Sequence, residues 1–253
     1  MGYIREKFKE LELFENFMNV YGTTPNGMSQ VLKRIPKKNI RILNGKPLIQ
    51  HTIDYAVQSP IVTRIIVSTD SQEIADISIK CGAESPFLRP KEISEDMTSD
   101  YPVVEHCLNY LQLEEGWVPE VVIFLRPTQP YRIKGEIEKA IEILNKNNDI
   151  DCVRTTQPVC YPPQWMKRIN KESLIEPFHI DMSEYQYTRS QELPQTVFCD
   201  GYVDAIRVDS LNKFKKIVAG NVYAIHRDNI YFIDIDDEKD WEYAEYIFEN
   251  KLN

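Results

Sequence analysis

Apolar positions along the chain follow two spacings, which separate predicted helices from predicted strands. Apolar residues three and four apart indicate helices, and short apolar runs rich in β-branched residues indicate buried strands. Helices are predicted over residues 4–19, 47–58, 71–81, 101–111, 134–145 and 237–250. Strands are predicted over residues 61–68, 121–125, 150–155, 197–208, 222–225 and 231–235. Because strands and helices alternate, the pattern predicts an α/β fold with a mostly parallel sheet.

Two segments interrupt this alternation. Residues 21–30 are predicted to be a loop, because Pro25, Asn26 and Gly27 follow one another there. Residues 158–195 are rich in proline, tyrosine and glutamine, and they are predicted to leave the sheet as an excursion.

Polar clusters lie at the carboxyl ends of three of the predicted strands. They are Ser68 to Asp70, Arg126 to Gln129, and Asp234 to Asp236. Open α/β sheets bind ligands at the carboxyl ends of their strands. The three clusters therefore predict one shared cleft.

The last cluster carries two carboxylates. Asp234 and Asp236 are two residues apart at the end of a predicted strand, so both side chains are expected on one face. Paired carboxylates suit a hard cation such as magnesium, which keeps water and phosphate in its remaining positions. The alternative is that Asp236 or Asp237 caps the helix that follows.

A basic run, residues 33–41, has two interpretations. Its lysines and arginines could neutralise a triphosphate. A solvated basic loop is the structural alternative, and the run by itself does not separate the two.

Composition limits the choice of function. The chain has 253 residues and a net charge of −9, which argues against a nucleic-acid partner but allows a local basic pocket. It has five cysteines with no CxxC pair, so we expect neither a zinc site nor a disulfide framework. We expect a cytoplasmic location, because that compartment keeps cysteines reduced. We also expect no membrane association, because no long apolar run is present.

Six segments, in order, carry a family resemblance. They read KRIPKKNIRILNGKPLI, IIVSTDSQEIADIS, LRPKEISEDMTSD, FLRPTQPYR, RSQELPQTVFCDGYVDAIR and FIDIDDEKDWEYAE. Together, over about residues 33–248, they resemble the acylneuraminate cytidylyltransferases, the CMP-sugar synthetases that activate sialic acid and related nonulosonic acids.

The resemblance implies a fold and a reaction. The fold would be a Rossmann-like (GT-A-like) nucleotide-diphospho-sugar transferase, with residues 31–253 as the catalytic domain. CTP and a nonulosonic acid would give a CMP-sugar and pyrophosphate. The excursion at 158–195 would exchange between the two protomers of a homodimer.

The resemblance also implies residue roles. Magnesium on the triphosphate would be held by Asp234 and Asp236. Phosphate charge would be neutralised by Lys33 and Lys38, with Lys38 nearest the reacting centre. The nucleotide would be bordered by Asn39, Arg89 and Ser99, and the sugar by Arg126, Thr128, Gln129 and Asp200. Arg189 would reach the sugar site of the other protomer.

The chain departs from the family pattern at its start. The family's first strand and nucleotide loop read roughly IIPARGGSKxxPxKN, and residues 1–30 lack the Ala-Arg-Gly-Gly-Ser part. Residues 17–21 are a weak candidate for the missing strand. A catalytically impaired homologue that serves as a binding or assembly subunit is therefore an alternative, as is a transferase that uses another nucleotide.

The sugar side departs as well. Arg126 stands where sialic acid enzymes commonly have Gln, Asp200 where they have Asn, and Val203 and Asp204 interrupt the NGAIY pattern. Because a buried polar group left unpaired is costly, these changes should alter which sugar is accepted. We expect legionaminate or pseudaminate rather than N-acetylneuraminate.

Overall fold

The computed structural model describes residues 17–23, 35, 37–95, 98–159, 161–178, 188–227 and 232–250. The strands are β1 Phe17–Thr23, β2 Ile42–Leu43, β3 Lys46–Pro47, β4 Arg64–Thr69, β5 Val121–Phe124, β6 Cys152–Pro158, β7 Lys167–Ile169, β8 Ile175–Pro177, β9 Val197–Arg207 and β10 Val222–His226. The helices are α1 Leu48–Val57, α2 Gln72–Lys80, α3 Asp100–Glu115, α4 Glu136–Lys146, α5 Val208–Phe214 and α6 Glu238–Asn250.

A six-stranded sheet forms the centre of the fold, in the order β10-β6-β9-β5-β1-β4. Strand β9 runs antiparallel to both of its neighbours. The other pairings are parallel. The predicted α/β fold with a mostly parallel sheet is confirmed.

Strand β1 is an interior strand of this sheet, next to the edge strand β4. Its backbone pairs with β4 on one side and with β5 on the other, and Val20 is opposite both Ile66 and Phe124. The weak strand prediction for residues 17–21 is therefore confirmed. The helix predicted over 4–19 is wrong at residues 17–19, and the loop predicted over 21–30 is wrong at residues 21–23. The rest of both predictions lies outside the described residues.

Hydrophobic cores cover both faces of the sheet, as β5 shows. Val121 and Ile123 join a core with apolar residues of α1, α2 and α4. Val122 and Phe124 join a second core with residues of α3 and α5. This follows from the two-residue period of a strand, which sends successive side chains to opposite faces.

Residues 232–236 are not part of the sheet, so the strand predicted there is wrong, and Tyr231 lies outside the described residues. The segment passes the loop after β5, where the Ile235 N–H donates to the Thr128 carbonyl at 2.8 Å. Pro127 and Pro130 in that loop have no N–H to offer, so a strand ladder cannot continue along it. The predicted alternation of faces does hold: Ile233 and Ile235 are buried, in a third core with Trp241 of α6.

Between β6 and β9, strands β7 and β8 form a two-stranded sheet of their own. Several large apolar side chains in this region are exposed, among them Ile169, Leu174, Ile175 and Phe178. Within the described residues, no helix is long and apolar enough to cross a membrane.

Candidate active site

The start of α6 decides between the two interpretations of the acidic cluster. The Asp237 carboxylate accepts from the N–H groups of Lys239 at 2.9 Å and Asp240 at 3.1 Å. Asp240 in turn accepts from the N–H groups of Asp237 at 3.0 Å and Asp236 at 2.8 Å. This is a reciprocal capping box. The helix is capped by Asp237 and Asp240, and the carboxylates of Asp234 and Asp236 are not needed for that role.

Lys38 lies in the short helical turn that precedes β2, and its side chain contacts residues 235–236 of the acidic segment, Asp234 to Asp236. Its Nζ donates to the Ile235 carbonyl and lies 3.3 Å from Asp236 Oδ1. The Lys38 side chain is 21% exposed, whereas that of Asp236 is 69% exposed. Two predicted site residues that are 198 positions apart in the chain are thereby brought together.

The other described members of the basic run have different partners. Lys37 pairs with Glu73 at 2.6 Å. The Arg41 guanidinium contacts both oxygens of Glu238 at 2.7 Å and lies 4.2 Å from the centre of the Trp241 ring. Lys33 lies outside the described residues. Of the described cations in this run, Lys38 is therefore the one that faces the acidic segment.

Of the residues predicted to border the nucleotide, Arg89 lies at the carboxyl end of β4. Arg89 is buried, and its N–H donates to the Thr69 carbonyl at 2.8 Å, while its Nε donates to Ser94 at 3.0 Å. Burial lowers the pKa of the Arg89 guanidinium, and Asp70, 3.8 Å away, partly offsets this. The structure therefore fixes Arg89 beside the carboxyl end of β4.

The remaining predicted nucleotide residues differ in exposure. Asn39 is buried in the same turn as Lys38. Ser99 is exposed and immediately precedes α3. The Ser99 hydroxyl does not cap that helix.

On the predicted sugar side, Gln129 is buried. Its Nε2 donates to the Asp200 carbonyl, while its Oε1 is buried without a hydrogen-bond partner among the described residues. Thr128 joins the sugar side to the acidic segment through its backbone bond with Ile235.

Asp200 is fully engaged inside the protein. Its Oδ1 accepts from the Thr155 hydroxyl at 2.6 Å and the Tyr202 N–H at 3.1 Å, and its Oδ2 accepts from Arg227 Nε at 2.9 Å. The Arg227 guanidinium lies 3.7 Å from the centre of the Tyr202 ring. Burial raises the pKa of Tyr202, while Arg132 and Arg227 oppose that shift. Asp200 therefore shapes the site through its backbone contact with Gln129, since both carboxylate oxygens already have partners.

Arg126 lies two residues beyond β5 and is held by residues in the middle of β9. Its Nη1 donates to Asp204 Oδ2 at 3.0 Å and to the Gly201 carbonyl at 3.1 Å. A Cβ atom at Gly201 would lie 2.5 Å from that nitrogen, and Gly201 has a φ of +64°. The close approach of the guanidinium and the left-handed backbone both require glycine here.

Arg189 is not joined to these residues. It is exposed and precedes the short turn Ser190–Glu192. Within the described part of the chain it makes no hydrogen bond or ion pair with the residues above. The predicted role of Arg189 in a neighbouring protomer stays a prediction.

Comparison with known proteins decides the family. The sequence profile of the cytidylyltransferases matches residues 33–198, which is well over half of the chain. The chain belongs to the cytidylyltransferase family. This cytidylyltransferase is 30% identical to the pseudaminic acid cytidylyltransferase of Campylobacter jejuni over 218 residues, covering 85% of the chain and 91% of that protein.

One further relative and one solved structure add detail. The CMP-N,N′-diacetyllegionaminic acid synthase of Legionella pneumophila is 37% identical over 148 residues, covering 57% of the chain and 62% of that protein. The match thus spans less than two thirds of the Legionella protein. The solved structure of CMP:2-keto-3-deoxy-manno-octonic acid synthetase complexed with CTP superposes on this chain with a TM-score of 0.67. The two sequences are 14% identical, and the superposition covers 94% of this chain and 100% of that one. This likeness shows a shared fold.

Sequence reasoning missed two residues of the candidate site. Arg227 follows β10 as a single arginine in no recognised motif, so its position at a strand end was the one available signal. Asp204 was noted as a departure from the family pattern, but its ion pairs with Arg126 and Arg154 could not be inferred. Both residues act through partners that are distant in the chain.

Proposed function

We propose that the protein activates a nonulosonic, sialic-acid-like sugar with CTP, giving a CMP-sugar and pyrophosphate. The observation that carries this proposal is the contact of Lys38 with the Ile235–Asp236 segment. It joins the basic run, which suits a triphosphate, to the carboxylates that suit a metal–nucleotide complex. The relatives named for pseudaminic and diacetyllegionaminic acid support the same sugar class.

Magnesium is the cation we propose for this site. Asp234 and Asp236 supply oxygen ligands, which suit a hard cation that keeps water and phosphate in its other positions. The pair fits because helix capping is performed by Asp237 and Asp240 instead. When bound, the cation would neutralise charge on the triphosphate.

The chain's own residues would position the reactants. The anomeric hydroxyl of the sugar attacks the α-phosphate in line, loses its proton, and pyrophosphate leaves. Lys38 would neutralise charge that develops on the phosphates, and its amine is already held at the acidic segment. Arg89, Asn39 and Ser99 would border the nucleotide, with Lys33 as a second phosphate cation.

The sugar would lie beside Arg126, Thr128 and Gln129. Gln129 Oε1 is a buried acceptor without a partner among the described residues, which suits a sugar hydroxyl. Legionaminate or pseudaminate is our preferred substrate, because Arg126 introduces a cation where sialic acid enzymes commonly have Gln.

We further propose a homodimer and a cytoplasmic location. Exposed apolar side chains on β7, β8 and the residues around them offer a surface that a second copy could bury, and Arg189 would then reach the partner's sugar site. The described cysteines Cys81, Cys107, Cys152 and Cys199 are free, which suits a reducing compartment. Neither a nucleic acid nor a membrane is among the proposed partners.

An impaired homologue is not the favoured alternative. Strand β1 pairs with both β4 and β5 inside the sheet, so residues 17–23 supply the strand on which a nucleotide loop would be mounted.

The test is incubation of the purified protein with CTP, magnesium and each of three acids: N,N′-diacetyllegionaminic acid, pseudaminic acid and N-acetylneuraminate. We expect a CMP-sugar by mass spectrometry and an equal amount of pyrophosphate, with the first two acids faster than the third. GTP in place of CTP and excess chelator are the controls. Absence of any CMP-sugar would contradict the function, and fastest turnover of N-acetylneuraminate would contradict the substrate preference.

A further inference from the structure

Arg126 is a cation held in one orientation from several sides. Its Nη1 is bonded to Asp204 and the Gly201 carbonyl, and its Nη2 donates to Asp100 Oδ2 at 3.0 Å. Its guanidinium also lies 4.9 Å from the centre of the Phe124 ring. A guanidinium fixed in this way loses little conformational freedom when it binds a further group.

The two carboxylates that hold Arg126 differ in exposure. Asp204 is completely buried and also accepts from Arg154 at 2.6 Å and 3.2 Å. The Asp100 side chain is 48% exposed. We therefore expect Asp204 to stay paired with Arg126, because separating them would leave a buried charge with less compensation. Asp100 can be exchanged, because water can solvate its carboxylate once it separates from the arginine.

Arg126 also keeps donors to spare. A guanidinium has five N–H groups, and the described contacts use two on Nη1 and one on Nη2. Nε and Nη2 lie on one edge of the group, which is the edge that binds a carboxylate with two parallel bonds. Among the described residues Asp100 is the partner of Nη2, so a carboxylate bound to this edge would compete with Asp100. The Arg126 side chain is 27% exposed, so a ligand can approach it.

We propose that Arg126 binds the carboxylate of the sugar acid and that Asp100 is the internal anion which this carboxylate displaces. The inference rests on the proposed function, since it assigns a ligand within the same sugar site. It also accounts for two departures from the family pattern at once: Asp204 is the buried counter-charge that allows an arginine at position 126.

The first test compares Arg126→Gln with the wild type in steady-state assays, using whichever of the three acids is turned over fastest. We expect KM for the acid to rise about tenfold to a hundredfold, as for loss of bonds to a charged group, while KM for CTP stays within about twofold. An unchanged KM for the acid would overturn the proposal, as would an equal rise in both KM values.

Asp100→Asn provides a test with the opposite sign. Removing the competing charge should lower KM for the acid, by about twofold to fivefold, which is the range of an exposed ion pair. A rise in KM for the acid would show that Asp100 supports binding rather than competing with it.

The carboxamide of the same acid should bind the wild type and Arg126→Gln equally well, and a persisting difference would contradict a carboxylate contact.

Arg64→Gln is the matched control. Arg64 is also held by two carboxylates, Glu84 and Glu115, and lies 5.0 Å from an aromatic ring centre. It begins β4, however, so it lies at the amino ends of the parallel strands, whereas Arg126 follows the carboxyl end of β5. Its substitution should leave both KM values unchanged. Circular dichroism of all variants checks that each one folds.

Failure of the proposed function can be told apart from failure of this inference. If the wild type forms no CMP-sugar, calorimetric titration with N,N′-diacetyllegionaminic acid and pseudaminic acid still reports binding. Binding of either acid by the wild type that is lost in Arg126→Gln would support the arginine's role without the reaction. No binding of either acid by the wild type would overturn that role.

Discussion

Lys38 Nζ lies 3.3 Å from Asp236 Oδ1, and the same nitrogen donates to the carbonyl of Ile235. The amine therefore stands against the segment that carries both predicted metal ligands. A cation here is placed to stabilise the charge of a phosphate that the same carboxylates would hold through a metal.

Replacing Lys38 with Gln should lower kcat for CMP-sugar formation by about a hundredfold to a thousandfold, which is typical for removal of one group that stabilises transition-state charge. Pyrophosphate release measures this. Lys37→Gln is the control, because the neighbouring amine pairs with Glu73 at 2.6 Å instead. Equal losses in the two variants would show that the charge of the run matters and not the position of Lys38.

Asp236 and Asp237 are adjacent but should have separable effects. Asp236→Ala should abolish metal-dependent turnover and leave the thermal midpoint nearly unchanged, and so should Asp234→Ala. Asp237→Ala removes the cap of α6, so it should cost about 1 kcal/mol and lower Tm by about 2–4 °C while turnover persists. Activity and scanning calorimetry on all three variants check this. Full activity in Asp234→Ala or Asp236→Ala would contradict the metal assignment.

The pair formed by Asp200 and Arg227 should matter for stability far more than a surface pair. Both side chains are almost fully buried, with exposed fractions of 0% and 2%. Arg227→Met leaves the Asp200 carboxylate buried without its counter-charge, so it should destabilise the protein by about 3–5 kcal/mol in urea denaturation. Lys146→Met, which removes an exposed pair with Glu142, should change stability by about 0.5 kcal/mol or less. Similar losses in both variants would contradict the importance of burial.

Cys107 should make stability fall at alkaline pH. Burial raises the pKa of its thiol to about 12. The thiol of the unfolded chain ionises above about pH 8.5, whereas the folded thiol keeps its proton until about pH 12. Because the folded state binds more protons in this range, its stability falls as the pH rises from about 8.5 to about 12. Between pH 9 and pH 11 the wild type should lose up to about 1.4 kcal/mol per pH unit more than Cys107→Ala. The exposed Cys199 provides the control variant Cys199→Ala, which should keep the wild-type slope. Identical slopes for the wild type and Cys107→Ala would refute this contribution.

Much of the fold could be predicted because the pattern is local. Helices such as α4 and strands such as β5 follow from apolar spacing and β-branched runs. Residues 17–19 were misassigned because a short apolar run reads equally well as the end of a helix. The strand predicted over residues 231–235 is absent at the described residues 232–235 for a non-local reason, since the loop beside them contains Pro127 and Pro130.

The site could be predicted as a set of positions but not as a set of contacts. Arg126 and Asp204 were each noted as departures, yet their ion pair depends on the antiparallel placement of β9 beside β5. The capping box at Asp237 was open to prediction, because Asp237 and Asp240 have the required spacing. The contact of Lys38 with residues 235–236 spans most of the chain, and no local pattern encodes it.

The most direct test of the account is calorimetric titration of the protein with CTP in the presence of magnesium, with GTP as the competitor nucleotide and Lys38→Gln alongside. We predict selective, magnesium-dependent binding of CTP by the wild type and much weaker binding by the variant. No binding of CTP, or equal binding of CTP and GTP, would contradict a cytidylyltransferase site built around Lys38, Asp234 and Asp236.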